Sequence, residues 1–332
     1  MGVPIKQQIA VAKYIIKHKL KGRKHYPLVT MLEPLYKCNL ACQGCGKIAQ
    51  PDHILNMRMS VTEALKAVDE ADTPIVSIPG GEPLLHKEMS SIVQGIIRRK
   101  KYVYLCTNAL LLRKRIDEYK PSEYFTWSIH LDGPEDIHDK SVDQPGGYKI
   151  AEEAVKMAID GGFRVSINTT VFVDTIDDVP KMAVFFDRMT DFGVEGITIS
   201  PGFAYSDAPN QDVFLQKEQI EKWFEELFKY QKLLKRKWPI NHSNLYLRFL
   251  QGKEDYNCTP WGNPTYSVLG WNKGCYLWNE GYTDTFDKMM SETDWVKFGN
   301  HKNCENCMAH VGYECSAIED VFSHPLKLFR KP

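Results

Sequence analysis

The strongest constraint on the fold is an alternation of short apolar runs with helical patterns between residues 26 and 240. Six runs rich in β-branched residues are predicted as strands: Leu28–Leu35, Ile75–Ile78, Tyr102–Cys106, Phe125–Leu131, Phe163–Val171 and Ile197–Ser200. Segments between them carry helix signals, such as the capping box of Ser60 and Glu63. Strands separated by helices pair in parallel through right-handed crossovers, so we expect an α/β fold, a partial (βα)6 barrel of TIM type. Functional groups should then lie at the carboxyl ends of the strands.

The two ends of the chain differ from this repeat. Residues 1–25 hold seven Lys/Arg and no acid, and they carry one apolar stripe at helical spacing, formed by Ile5, Ile9, Ala12, Ile16 and Leu20. We predict a basic amphipathic helix that either docks on the barrel through this stripe or lies on an anionic membrane surface. A long helix is predicted at Phe214–Lys237, after which the composition turns to Gly, Asn, Trp and Cys. The expected domains are therefore 1–25, 26–240 and a small Cys-rich extension, 241–332.

Composition excludes several classes of protein. The chain of 332 residues has 42 Lys+Arg against 42 Asp+Glu, and this balance argues against a general nucleic-acid partner. Apolar runs are too short to span a bilayer, and the amino end lacks the apolar core of a signal peptide, so a cytoplasmic protein is expected, with peripheral attachment to the inner face of the membrane permitted. Nine cysteines in a reducing compartment are more often metal ligands or reactive thiols than disulfides.

A three-cysteine motif follows the first strand. Cys38, Cys42 and Cys45 have Cys-x3-Cys-x2-Cys spacing, so three thiolates on one loop can ligate three irons of a [4Fe–4S] cubane. No fourth cysteine lies nearby in the sequence, which leaves one iron open to an exogenous ligand. A structural zinc site is the weaker alternative, because it normally takes four protein ligands.

Here the chain resembles the radical S-adenosylmethionine (SAM) superfamily. The resemblance rests on the cysteine loop and on Gly80-Gly81-Glu82-Pro83 after the second strand, where glycines allow close backbone approach. It implies that the open iron binds SAM, that the reduced cluster releases a 5′-deoxyadenosyl radical, and that Gly80, Gly81 and Glu82 contact the methionine moiety. Polar residues at the later strands look like further SAM contacts: Ser128, His130 and Asn168. Many members place an aromatic residue before the third cysteine, whereas this chain has Gly44.

The carboxy-terminal extension has its own cysteine set. Its spacing resembles the region that binds auxiliary clusters in SPASM and twitch-type radical SAM enzymes, although it is truncated. The resemblance predicts a second [4Fe–4S] cluster, with structural zinc as the main rival, on four ligands: Cys258, Cys275, Cys304 and Cys307. Cys315 is a spare or substitute ligand.

Over nearly its whole length the chain also resembles the radical SAM enzymes of hopanoid biosynthesis. The shared segments include Leu32–Leu35 with the cluster loop, Pro51–Leu55, Val76–His86, Tyr104–Leu112, Phe125–Trp127 and Cys258–Gly262. This resemblance implies a bacterial enzyme that adds the deoxyadenosyl radical to the exocyclic alkene of diploptene, giving adenosylhopane. It also implies a flavodoxin or ferredoxin as reductant, and a basic helix that docks the barrel mouth on the membrane. The alternative is a SPASM or twitch-type maturase acting on a peptide or other small substrate.

Cys106 is an isolated thiol at the end of the third predicted strand. Addition of a primary carbon radical to a terminal alkene leaves a tertiary radical that must gain a hydrogen atom, and a weak S–H bond can donate one. The sequence therefore predicts Cys106 as the catalytic hydrogen donor. The alternative for such a thiol is a small buried apolar residue.

Overall fold

The computed structural model describes residues 2–332, apart from the side chains of Asn279, Asn303 and Leu328. Its centre is one nine-stranded sheet in the order β6-β5-β4-β3-β2-β1-β7-β8-β9. The strands are β1 (Val29–Glu33), β2 (Ile75–Ile78), β3 (Tyr102–Thr107), β4 (Phe125–His130), β5 (Arg164–Val171), β6 (Gly196–Pro201), β7 (Thr265–Ser267), β8 (Gly270–Gly274) and β9 (Asn279–Thr283). β1 to β6 pair in parallel and form the predicted partial barrel.

Helices connect these strands and cover the outer face of the sheet. They are α1 (Ile5–Leu20), α2 (Asp52–Leu55), α3 (Val61–Ala71), α4 (Met89–Arg98), α5 (Leu112–Arg115), α6 (Glu135–Ser141), α7 (Gly147–Asp160), α8 (Val173–Ile176), α9 (Val179–Asp191), α10 (Lys217–Leu233), α11 (Asn244–Phe249), α12 (Phe286–Glu292) and α13 (His310–Ser323). The capping box before α3 is present, because the Ser60 side chain accepts from the Glu63 amide and the Glu63 carboxylate accepts from the Ser60 amide. The long predicted helix is shorter than expected, as α10 begins at Lys217 and ends at Leu233.

The carboxy-terminal extension continues the barrel sheet. β7 pairs in parallel with β1, and β8 and β9 follow it as antiparallel strands. This part of the sequence has little periodicity, because these strands have only three to five residues and are rich in Gly and Asn. The extension therefore packs at the open edge of the barrel, beside the first strand and its loop.

Helix α1 lies across the amino ends of the strands. Gln7 accepts a hydrogen bond from the Tyr104 hydroxyl at 3.1 Å, and Ile15 packs with Tyr26 and Leu28, which precede β1. The face that docks contains Gln7, Ile15 and His18, whereas the predicted apolar stripe points to solvent. The helix docks on the barrel with its lysines exposed, which was one of the two expectations, but it does so through the face opposite the stripe. Placement of this helix at the barrel mouth was wrong, because the mouth lies at the carboxyl ends. None of the helices in residues 2–332 is long and apolar enough to cross a membrane.

Candidate active site

One cavity of about 300 Å3 lies at the carboxyl ends of the barrel strands. Each of four neighbouring strands contributes a side chain from its final residues: Cys106, His130, Asn168 and Ser200. The loops after β1 and β2, the turn between β8 and β9, and the start of α13 close the remaining sides. This is the edge at which a (βα) barrel collects functional groups, because the connecting loops there vary without disturbing the barrel.

The three cysteines of the first loop all border this cavity. Burial raises the pKa of Cys38 to about 11, and burial followed by the neighbouring Cys45 raises that of Cys42. Thiols with raised pKa values are neutral until a metal displaces their protons. The side-chain amide of Asn108 donates towards the Cys38 sulfur at 3.8 Å, a contact that suits a thiolate bound to a cluster. The loop therefore fits a cluster held by three cysteines.

Gly80 and Gly81 pack against the backbone of the cysteine loop. Gly80 has φ +56°, and a Cβ on Gly81 would lie 2.3 Å from the Lys37 carbonyl oxygen. The Gly81 amide donates to the Leu35 carbonyl at 2.9 Å and the Glu82 amide donates to Lys37 at 2.9 Å. Both glycines border the cavity, but the requirement for glycine comes from this close approach of two loops rather than from a ligand.

Glu82 is fully buried beneath the cavity. Its carboxylate accepts from the Leu84 amide at 2.9 Å, the Thr107 hydroxyl at 2.9 Å and the Asn108 amide at 2.8 Å. Burial raises the pKa of Glu82 to about 7, although these hydrogen bonds oppose the shift. These contacts fill about three of the four acceptor sites of the carboxylate, so Glu82 fixes the Asn108 loop and keeps one acceptor site on Oε2.

The fourth strand provides a buried ion pair. His130 Nε2 lies 2.7 Å from Asp132 Oδ1, which also accepts from the Thr170 amide at 2.8 Å. Burial lowers the pKa of His130, but the charge and hydrogen bond of Asp132 outweigh it, so the net shift is upward. Ser128, predicted as a SAM contact, does not border the cavity. It lies opposite Cys106 in the β3–β4 register, one layer below the strand ends.

Cys106 borders the same cavity as the cysteine loop but lies on a different strand. Its sulfur is 3.7 Å from the Ser77 hydroxyl. Burial raises the pKa of the Cys106 thiol, which keeps the sulfur protonated at neutral pH. The structure thus brings a neutral S–H group into the cavity that the three ligand-type cysteines border.

Phe172 occupies the space opened by Gly44. The ring lies at the end of β5, and a Cβ on Gly44 would be 2.6 Å from it. A Cβ on Gly202 would be 2.4 Å from the same ring, so two glycines form the slot that holds it. Phe172 also borders the cavity. The missing aromatic residue at position 44 is therefore replaced in space by a side chain 128 positions later.

Away from the cysteine loop the cavity wall is largely apolar and aromatic. Its members are Leu40, Ile48, Phe203, Tyr205, Tyr276, Leu277, Ala309 and Val311. One buried ion pair interrupts this wall: Lys47 Nζ lies 2.9 Å from Glu33 Oε1 and 4.6 Å from the centre of the Tyr276 ring. The pair neutralises itself, so this side of the cavity offers chiefly apolar contact.

The second cysteine set lines an adjoining cavity. Cys258, Cys275, Cys304 and Cys307 surround it, as the sequence predicted. Phe203, Leu277 and Val311 border both cavities and form the partition between them. Cys315 lies elsewhere: it is buried beside Ile15 and donates to the Asn263 side chain at 3.4 Å. The expectation that Cys315 is a spare ligand was wrong.

The second cysteine set has the donor chemistry for either a single zinc ion or an iron–sulfur cluster. Tetrahedral zinc with Zn–S bonds of about 2.3 Å draws its ligand sulfurs to about 4 Å from one another. A [4Fe–4S] cubane instead binds each of four sulfurs to a different iron, so the four cysteines around this cavity can serve either group.

Sequence reasoning missed several residues of the site. Phe172, Lys47, Asp132 and His310 all border the main cavity. His310 accepts or donates a hydrogen bond with Ser200, and burial lowers its pKa to about 3, so its ring is neutral. Asp132 and Lys47 stood in segments already considered, and Lys47 follows the third cysteine by two residues, but no local pattern marks Phe172 and His310 as neighbours of the cysteine loop.

The fold and the site define the class of the protein: a parallel α/β partial barrel with a thiol-rich metal-binding cavity at its strand ends. The family profile described as the radical SAM superfamily matches residues 32–186, which include β2 to β5 and all three cysteines of the first loop. A second profile, a domain of unknown function (DUF3463), matches residues 197–331. The chain has the α/β fold of radical SAM enzymes, with a SPASM-like Cys-rich carboxy-terminal extension. Enzymes of this superfamily use a [4Fe–4S] cluster and SAM, and SPASM-like members carry additional clusters.

Curated relatives match parts of the chain. It is 28% identical over 163 residues to GTP 3′,8-cyclase of Aquifex aeolicus, covering 46% of this chain and 51% of the relative. It is 24% identical to the AdoMet-dependent heme synthase of Methanosarcina barkeri, and the alignment covers 72% of this chain and 68% of the relative. It is also 24% identical to the subtilosin biosynthesis protein AlbA of Bacillus subtilis, over 58% of this chain and 44% of the relative. The chain spans about half the length of the first of these relatives.

Solved structures share the fold. Streptococcus suis SuiB bound to its precursor peptide SuiA aligns with a TM-score of 0.67 at 12% identity, covering 94% of this chain and 76% of that one. The protein titled anSMEcpe, with bound AdoMet, aligns with a TM-score of 0.63 at 17% identity, covering 91% and 94%. These likenesses extend over the carboxy-terminal part as well as the barrel.

Proposed function

We propose that this radical SAM enzyme adds a 5′-deoxyadenosyl group to the alkene carbon of a hydrocarbon, with diploptene as the substrate, and reduces the product radical with the Cys106 thiol. The observation that carries the proposal is the position of a neutral S–H group on β3, in the cavity that the three-cysteine loop borders. The apolar wall supports a hydrocarbon substrate, because burial of apolar surface contributes about 25 cal/mol per Å2.

The residues around the main cavity have separate proposed roles in binding the cluster and SAM. Cys38, Cys42 and Cys45 would hold a [4Fe–4S] cluster, which together with SAM supplies a 5′-deoxyadenosyl radical when bound. Glu82 holds the Asn108 loop beside Cys38. His130, kept in place by Asp132, and Asn168 face the SAM side of the cavity.

Cys106 completes the proposed reaction. Addition forms the bond from C5′ to the terminal alkene carbon and leaves a tertiary carbon radical. The Cys106 S–H bond breaks as hydrogen passes to that carbon, and the sulfur is left as a thiyl radical. One electron from a flavodoxin or ferredoxin and one proton from solvent restore the thiol.

Phe172 is assigned to the nucleoside of SAM. Its ring fills the slot between Gly44 and Gly202 and borders the cavity beside the third cysteine. An aromatic face there provides a surface on which adenine can stack. The side chain would thus perform from β5 what an aromatic residue at position 44 would otherwise perform from the cysteine loop.

A second [4Fe–4S] cluster is assigned to Cys258, Cys275, Cys304 and Cys307. Burial raises the pKa of Cys275 to about 11 and that of Cys307 to about 12, so neither thiol ionises without a metal. The partition shared with the main cavity puts this cluster one layer of side chains from the substrate space. Such a position suits a relay of electrons to the thiyl sulfur of Cys106.

The alternative function is modification of a peptide. It is favoured by the likeness to SuiB, solved with its precursor peptide, and by the relative AlbA, named for bacteriocin biosynthesis. Anaerobically reconstituted protein should be incubated with dithionite and SAM, with and without diploptene, and the products examined by mass spectrometry. An adenosyl adduct of diploptene supports the proposal. Release of 5′-deoxyadenosine with diploptene unchanged would overturn it in favour of the peptide alternative.

A further inference from the structure

Helix α1 exposes an apolar stripe along its whole length. The exposed fractions are 74% for Ile5, 47% for Ile9, 48% for Ile16 and 84% for Leu20. The opposite face of the helix is the one that packs on the barrel, through Gln7, Ile15 and His18. A helix of 16 residues is about 24 Å long, so the stripe is a continuous apolar strip rather than a scatter of single side chains.

Basic side chains border this strip on both sides. At 100° per residue, Lys13 and Lys17 fall along one edge and Lys19 along the other. All three are exposed, and residues 1–25 contain no acid. Lys21, Arg23 and Lys24 continue the positive charge beyond the last turn.

We propose that this face of α1 binds an anionic phospholipid bilayer, with the helix lying in the plane of the interface. The chemistry of both partners is complementary: the isoleucines and Leu20 enter the boundary between headgroups and acyl chains, and the lysines at the edges contact the phosphates. A protein partner has no comparable reason to require an apolar centre with cations on both edges and no acid.

The packing of α1 fixes the orientation of the bound molecule. Tyr104 and Arg164, which meet the amino-terminal segment, stand at the amino ends of their strands, and Arg164 donates to the Gly2 carbonyl at 2.5 Å. The active-site cavity is at the carboxyl ends. The bilayer-bound enzyme therefore points its cavity away from the surface that holds it. This inference does not depend on the proposed substrate.

Sedimentation with vesicles tests the proposal on the full chain. Wild-type protein should sediment with phosphatidylglycerol/phosphatidylcholine vesicles and remain in solution with phosphatidylcholine alone. Ile5→Ser/Leu20→Ser should abolish sedimentation, whereas Val184→Ser/Leu233→Ser, which removes two equally exposed apolar side chains elsewhere, should not.

Charge reversal gives a second, independent measurement. Each lysine near an anionic surface contributes about fivefold in affinity, so Lys13→Glu/Lys17→Glu should weaken binding by at least about 25-fold. Lys235→Glu/Lys237→Glu serves as the matched control, with the same change of net charge. Equal binding by the α1 variants and their controls would overturn the proposal, as would dimerisation through α1 in the absence of vesicles.

Discussion

Replacement of Phe172 by Ala should weaken SAM binding without disturbing the cysteine loop. Stacking of a base on an aromatic ring contributes about 1–3 kcal/mol, so the dissociation constant for SAM should rise by about 5- to 150-fold. The ring is in the slot between Gly44 and Gly202, where a Cβ at position 44 would be 2.6 Å from it. A phenylalanine at position 44 can therefore take the place of the missing ring, and Phe172→Ala/Gly44→Phe should recover much of the affinity. Gly44→Phe alone should clash with Phe172 and bind SAM poorly.

Equilibrium dialysis of anaerobically reconstituted protein against labelled SAM measures this affinity directly. Phe214→Ala is the matched control, because Phe214 contacts Phe172 edge-on at 5.9 Å between ring centres but does not border the cavity. Wild-type affinity in Phe172→Ala, or an equal loss in Phe214→Ala, would refute the assignment of Phe172 to adenine.

Three further predictions follow from buried groups. Because the pKa of Glu82 is raised from 4.5 to about 7, the folded apo protein binds this proton more tightly than the unfolded chain does. Between pH 4.5 and 7, wild type should therefore lose about 3 kcal/mol of unfolding free energy relative to Glu82→Gln. Parallel pH profiles of the two proteins in denaturant titrations would contradict this. Lys47→Met leaves the fully buried Glu33 carboxylate without its partner and should lower the free energy of unfolding by about 3–5 kcal/mol. Glu33→Gln/Lys47→Met should restore most of that loss. Equal stability of the single and the double variant would count against this prediction. Cys275→Ser should reduce iron from about eight to about four per chain, whereas Cys315→Ala should keep about eight, and about four irons in wild type would exclude the second cluster.

The fold was largely predictable because its signals are local. All six barrel strands lie where β-branched runs occur, and each boundary is within two residues of the expected one. The extension was not predictable in the same way: β7 has three residues, and its place beside β1 comes from packing across more than 230 residues of sequence. Short strands without alternation carry little periodic signal.

Helix α1 shows a second limit of periodicity. The apolar stripe at Ile5, Ile9, Ile16 and Leu20 was real, but the helix packs through Gln7, Ile15 and His18 instead. Hydrogen bonding of Gln7 to Tyr104 and packing of His18 against Tyr14 and Tyr26 make the more polar face the buried one. Amphipathicity identifies an apolar and a polar face of a helix, but it does not determine which face packs on the protein.

In the candidate site, too, local sequence features were predictable and contacts between distant residues were not. The first cysteine motif is local, so its spacing placed three thiols on one loop, whereas the grouping of Cys258, Cys275, Cys304 and Cys307 was expected from a family resemblance. Phe172 depends on a contact with Gly44 that only the closed barrel creates. Ser128 shares a strand face with His130 but lies two residues earlier, opposite Cys106 in the β3–β4 register, so it stands one layer below the cavity wall.

The most direct test of the account is the source of the hydrogen atom at the quenched carbon. A thiol exchanges its proton with solvent, so reaction of reconstituted enzyme with SAM and diploptene in D2O should give an adenosyl adduct carrying one deuterium, located at the tertiary carbon. Cys106→Ala should still cleave SAM but yield little of this labelled adduct. An adduct without deuterium from the wild type, or unchanged labelling and yield in Cys106→Ala, would contradict the central claim that the Cys106 thiol reduces the product radical.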